Sequence, residues 1–100
     1  MVNKLAVEGN RIIVSLAGAI YTEDAEQLRS ELLEYVAAGY SQFLIDMAQV
    51  DYLDSAGIAT LIALHKSAGR LGGKVTLQGV TGLVKELFVI THLIEVFETQ

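Results

Sequence analysis

Three aspartates and a serine crowd into one short stretch: Asp46, Asp51, Asp54 and Ser55. Carboxylates bind hard cations, and a serine hydroxyl can attack a carbonyl, cap a helix or accept a phosphoryl group. The spacing of the aspartates does not fit an EF-hand loop, and no glutamate closes the set, so no metal site follows. A Ser–His–Asp triad needs a histidine within hydrogen-bond reach of the serine. The two histidines, His65 and His92, are far apart in sequence, and His65 reads as a partly buried structural residue. There is no Gly-x-Ser-x-Gly elbow, since Ser55 follows an aspartate. Gly69-Arg70-Leu71-Gly72-Gly73-Lys74 resembles a phosphate cradle only loosely: no Ser or Thr follows Lys74, and the segment precedes a strand. No catalytic residue and no cofactor is therefore assigned, and an enzyme is not expected. What remains is Ser55 itself, a small hydroxyl at a helix start. It can cap free backbone N–H groups, or it can be reached by a modifying enzyme. Gly57 would let another backbone or a phosphate donor approach closely.

The elements that hold Ser55 are legible around it. Phe43-Leu44-Ile45 is a short apolar run, compatible with a strand covered on both faces. Asp46 to Asp54 reads as a tight acidic connection. Ile58, Leu61, Ile62, His65 and Ala68 recur at helical spacing, so a helix runs from Ser55 to about Leu71, where Gly72-Gly73 breaks it. Upstream, Leu5–Val7 and Arg11–Leu16 are strand-like, and Glu8-Gly9-Asn10 between them predicts an antiparallel hairpin. Gly18 ends the second strand. Asp24 and Gln27 have the spacing of a capping box for a helix to about Ala38, with Ala25, Leu28, Leu32, Tyr35 and Val36 inward and Gly39 as its C-terminal stop. Downstream, Lys74–Gln78 is a strand, Thr81 caps a short helix through Ile90, and Ile94–Phe97 is a last apolar segment, strand or helix.

Strand–helix–strand units in succession imply parallel pairing with right-handed crossovers. The predicted fold is a single α/β domain over residues 1–100: a mixed, mostly parallel sheet with an N-terminal antiparallel hairpin and amphipathic helices packed on it. With 52% hydrophobic and 19% charged residues, the chain can bury a real core.

Charge narrows the partners. The formal net charge is −5, and the seven Lys and Arg residues are scattered along the sequence. Direct nucleic-acid binding and electrostatic attachment to an anionic membrane are disfavoured. No apolar run approaches the length of a membrane span, and Met1-Val2-Asn3-Lys4 opens no signal peptide, so a cytoplasmic protein without membrane insertion is expected. Cysteine is absent, which removes disulfide and thiolate chemistry. The Ser55 helix is apolar around much of its first two turns: Ile58, Ala59, Leu61, Ile62, Ala63 and Leu64 leave little polar surface. One sheet covers one face. The rest is shielded by a neighbouring helix or left for a protein partner.

An apolar strand followed by Asp46, Val50, Asp54, Ser55 and Gly57 resembles the signature of the STAS domain family (sulfate transporter and anti-sigma factor antagonist). The resemblance spans nearly the whole chain, with Gly18–Leu28 similar to that family's first glycine and helix entry and Gly73–Leu77 to its next strand. In a free-standing domain it points to bacterial anti-sigma factor antagonists. It implies a binding module that engages an anti-sigma factor with serine kinase activity while Ser55 is unmodified. Phosphorylation of Ser55 would switch it off, and a serine phosphatase acting on phosphorylated Ser55 would reverse this, regulating sigma-factor-dependent transcription by partner switching. Together with the apolar perimeter of the Ser55 helix, which puts Gly57, Ile58 and Ile62 in the interface, the expected contact surface comprises Tyr21, Asp54, Ser55, Ala56, Gly57, Ile58 and Ile62. Asp54 and Asp46 would oppose the phosphate. Tyr21 stands where the family often has an aspartate, which bears on kinase handling and partner choice. The alternatives that the resemblance leaves for this chain are a soluble accessory component of a lipid or anion transport system and a scaffold subunit of a signalling assembly.

Overall fold

The computed structural model describes residues 2–100, with side chains from Asn3 onward. A tight turn at Glu8-Gly9-Asn10 folds β1 (Val2–Glu8) onto β2 (Arg11–Ile20), with Glu8 opposite Arg11. Then follow α1 (Thr22–Ala37), β3 (Gln42–Leu53), α2 (Ser55–Arg70), β4 (Lys74–Gln78), α3 (Gly82–Ile90), a short 3-10 turn (Leu93–Glu95) and β5 (Glu98–Thr99). The strands lie in sequence order, β1-β2-β3-β4-β5; only the β1–β2 pair is antiparallel. The expected mixed, mostly parallel sheet with its N-terminal hairpin is therefore present. A fifth strand is added: the Ile94–Phe97 segment is neither one strand nor one helix but a 3-10 turn leading into β5.

One face of the sheet supplies the core. Ile12, Val14, Leu16, Phe43, Ile45, Val75 and Leu77 are buried with Leu28 and Leu32 of α1, Leu61 and Leu64 of α2 and Phe88 of α3. The other face carries Ile13, Ser15, Leu44 and Asp46, all half-buried, with Ile13 beside Leu44 and Ser15 beside Asp46. Phe43-Leu44-Ile45 is thus not covered on both faces. Its side chains alternate in and half-out, as a period-two strand must when helices pack on one side.

β3 departs most from expectation. The acidic connection is not a loop: the strand continues through it to Leu53. Ser15 and Ala17 of β2 pair with Asp46 and Gln49, and Gly18 and Ala19 pair with Val50 and Tyr52, so β3 carries an extra residue twice. Each such bulge resets which residue faces inward. Buried positions are two apart at Phe43, Ile45 and Met47, then three apart at Val50 and Leu53. The Asp46 carboxylate braces the first bulge by accepting the Ala48 N–H at 3.0 Å. Gly18 does not end β2; with φ +82° it lies at the second irregularity, and the strand runs on to Ile20. The α1 start also shifts. Tyr21 is the N-cap and Asp24 lies in the first turn, where its carboxylate accepts the Tyr21 N–H at 3.4 Å.

Candidate functional site

β2 and β3 are parallel neighbours, and their last residues, Ile20 and Leu53, are paired. A helix begins directly after each. Two helix N-termini are thereby set side by side, joined by the Asp54 N–H donating to the Ile20 carbonyl at 3.1 Å. Side chains close the junction. Asp54 Oδ1 accepts the Gly57 N–H at 3.0 Å, and Asp54 Oδ2 accepts the Thr22 hydroxyl at 2.9 Å. Hydrogen bonds to the ionised form favour it, so the Gly57 N–H first and the Thr22 hydroxyl next hold the Asp54 carboxyl below its ordinary value. Asp54 thus caps α2 and ties it to the first residue of α1.

This corrects the reading of Ser55 as the cap. Ser55 is the first residue of α2, with its side chain exposed. A residue at that position lies beside backbone N–H groups that have no partner within the helix. Two exposed aromatic rings belong to the same junction, Tyr21 as the N-cap of α1 and Tyr52 next to last in β3. Tyr21 is 57% and Tyr52 48% exposed, with ring centroids 5.7 Å apart and planes tilted by 44°. Tyr52 borders a shallow apolar groove with Leu83, which is 72% exposed, and Leu87.

The remaining expected contact residues divide. Ala56, Ile58 and Ile62 are half-buried and packed against the core. Gly57 is not on the surface but buried: a Cβ there would meet Leu53 Cδ2 at 3.3 Å and Ile20 Cγ2 at 3.4 Å. Its bareness lets the first turn of α2 settle onto the ends of both strands, rather than admitting a phosphate donor. Asp46 is elsewhere. Seven residues up β3 from Leu53, at roughly 3.3 Å per residue, it lies on the order of 20 Å from the α2 start. It does not oppose a charge on Ser55. His65 is half-buried in α2 with its ring 5.3 Å from that of Phe97, away from Ser55. Among the described residues, no three His, Asp or Glu side chains gather where a metal ion could be held.

Two site residues were missed in the sequence, Thr22 and Tyr52. Thr22 had a usable signal, a hydroxyl one residue inside a helix start. What it bonds to depends on the β2–β3 register, which no local pattern encodes. Tyr52 lay inside the supposed acidic loop and faces outward only because of the second bulge in β3.

The family model for the STAS domain matches residues 3–100 of the chain. BtrV of Bordetella bronchiseptica is 29% identical over 86 residues, covering 86% of this chain and 74% of that protein. The anti-sigma-B factor antagonist of Bacillus subtilis is 29% identical over 89 residues, covering 89% of this chain and 81% of that protein. Among solved structures, the anti-sigma factor antagonist SpoIIAA in its unphosphorylated form superposes with a TM-score of 0.83 at 14% identity, covering 99% of this chain and 87% of that one. The phosphorylated form of Bacillus SpoIIAA gives 0.82 at 15% identity, covering 99% and 91%.

Proposed function

The chain belongs to the STAS domain family, a family of regulatory binding proteins rather than enzymes, and from that premise we propose that it is an anti-sigma factor antagonist acting in the cytoplasm. In this reading the partner is an anti-sigma factor with serine kinase activity, held while Ser55 is unmodified. Phosphorylation of Ser55 releases the partner, a serine phosphatase restores binding, and sigma-factor-dependent transcription follows the exchange.

The observation that carries the reading is the placement of Ser55. Ser55 is exposed at the first residue of α2, Asp54 rather than Ser55 caps that helix, and the exposed rings of Tyr21 and Tyr52 lie together at the ends of the two strands that lead into α1 and α2. A hydroxyl so placed is open to a kinase, and the exposed rings are the kind of side chain on which interfaces anchor. Phosphate adds about −1.5 to −2 charges. At a helix N-terminus the dipole and free N–H groups favour an anion, so the fold should tolerate it. SpoIIAA itself has the fold shared with this chain in both its unphosphorylated and its phosphorylated form. Inside a complex the same phosphate would be buried against a partner shaped for a neutral hydroxyl. Desolvating an uncompensated ion costs several kcal/mol, and even about 3 kcal/mol weakens binding more than a hundredfold.

Titration calorimetry against the purified cognate anti-sigma factor kinase tests the proposal. Unmodified protein and Ser55→Ala should bind, whereas phosphorylated protein and Ser55→Asp should bind at least a hundredfold more weakly. Equal affinity for the phosphorylated and unmodified forms would reject the switch.

A further inference from the structure

The seven cations look scattered in the sequence, but the fold brings three of them together. Arg29 of α1 and Lys66 and Arg70 of α2 line one groove of about 350 Å³ between these helices, floored by Ala59, Ile62 and Ala63. All three cations are exposed, and among the described residues none is held in an ion pair. Arg11 and Lys74, by contrast, are neutralised by Glu8 and Glu98. On a chain of net charge −5, this is a local reversal of sign. Cations in the last turns of a helix commonly serve its dipole, and that accounts for Arg70. It does not account for Arg29, which sits mid-helix in α1, nor for the apolar floor.

The groove is also continuous with the proposed switch. Ser55, Ala59, Ile62, Lys66 and Arg70 follow one another at steps of four, three, four and four residues, a single stripe along α2. At about 1.5 Å of rise per residue, Ala59 lies roughly 6 Å and Lys66 roughly 16 Å along the axis from Ser55. A partner covering Ser55 therefore reaches the groove without leaving the helix.

We infer that this groove docks an acidic amphipathic segment of the partner protein, with an apolar side chain seated on Ala59, Ile62 and Ala63 and carboxylates facing Arg29, Lys66 and Arg70. The inference rests on the anti-sigma factor reading and supplies the chemistry of the second contact. Specific nucleic-acid binding commonly uses more phosphate contacts than three cations provide, and has no use for an apolar floor. Charge complementarity at such a rim sets association rate and selectivity and gives binding a salt dependence.

The test uses the purified anti-sigma factor kinase and the full chain. Wild type, Lys66→Glu/Arg70→Glu and Arg29→Glu are titrated at low and high sodium chloride, with melting curves as a check that the exposed substitutions leave the fold intact. Wild type should bind more weakly as salt rises. The double reversal should lose about tenfold or more in affinity at low salt, and much of the difference should vanish at high salt. A double reversal that folds and binds like wild type overturns the groove assignment and leaves the Ser55 reading standing. A wild type that does not bind the kinase at all overturns the functional reading, and the inference falls with it. Co-sedimentation of wild type, but not of the double reversal, with phosphatidylglycerol vesicles would instead assign the groove to a lipid surface. Concentration-dependent self-association abolished by the double reversal would assign it to a second copy of the chain. Either result overturns the protein-segment assignment.

Discussion

A residue at the start of a helix can cap it or present a group to a partner, and replacing Ser55 and Asp54 in turn separates the two. Asp54 holds the Gly57 N–H and the Thr22 hydroxyl, while Ser55 sits one residue inside with its side chain exposed. Ser55→Ala should therefore remove no cap. Alanine is the better helix former by a few tenths of a kcal/mol, so the melting temperature should stay within about 2 °C of wild type. Asp54→Ala removes the cap and the link between α1 and α2. Loss of an N-cap in a domain of this size lowers the melting temperature by roughly 4–8 °C. Ser55→Asp places a carboxylate where the α2 dipole attracts it, worth about 0.3–1 kcal/mol, and next in sequence to Asp54, whose like charge opposes that gain. It should melt close to wild type. Circular dichroism melts of the three variants at neutral pH are sufficient. A several-degree loss in Ser55→Ala with none in Asp54→Ala would make Ser55 the cap and refute the geometry on which the exposed hydroxyl depends.

Acid should expose the same carboxylate. Because Asp54 is held below its ordinary value in the fold, its contribution is fully present above the unfolded carboxylate range and is lost as pH falls below about 4. Asp54→Asn keeps a good capping side chain but cannot titrate, so its stability should fall less steeply below pH 4 than that of wild type in urea titrations across pH. Tyr21→Asp introduces the aspartate that the family resemblance leads one to expect at this position, and in the proposed switch the rate of Ser55 phosphorylation by the cognate kinase should change; an unchanged rate places Tyr21 outside the kinase contact. Gly73→Ala should be the most damaging single methyl in the chain, since its Cβ would overlap the Ser41 carbonyl oxygen that accepts the Lys74 N–H at 2.9 Å. A cost near about 3 kcal/mol, or a melting temperature lower by more than about 10 °C, is expected.

The element order, the hairpin, the core faces of α1 and the helix after Ser55 could be read in the sequence because each is a local pattern of spacing and turn residues. Ala25, Leu28 and Leu32 repeat at helical intervals and are buried as expected. The errors fall where long-range pairing overrides local signals. Asp46 to Asp51 reads as a connection, yet β2 supplies ladder partners along it, with β4 pairing only at Asp46, and these hold the segment extended. Two bulges absorb the extra residues. Gly18 reads as a stop, but its positive φ serves an irregularity within a continuing strand. Gly57 was legible as a required glycine but not as an inward one, because Leu53 and Ile20 reach it only through the strand register. The scattered cations show the same limit. Arg29 and Lys66 are far apart in the sequence, and only the packing of α1 against α2 makes them neighbours. That packing is anchored in part by the Thr60 hydroxyl donating to the Ala25 carbonyl at 3.1 Å.

The division of labour between Asp54, Ser55 and Gly57 bears on how a single modification could act. Asp54 satisfies the helix start from one side, and Gly57 seats its first turn against Leu53 and Ile20 from the other. The first turn of α2 is thus fixed at two points, neither of which uses the Ser55 hydroxyl. A charge added at Ser55 has little slack to exploit by shifting the helix, and the α2 dipole lowers its cost to the isolated domain. In the proposed switch the energy of modification is therefore expressed outward, at the surface formed by Tyr21, Tyr52 and the exposed stripe of α2. Had Ser55 been the cap, phosphorylation would have altered stability and binding together. With Asp54 as the cap, the two are separable, and a phosphorylated protein that melts like the unmodified one yet fails to hold its partner is the combination this geometry requires.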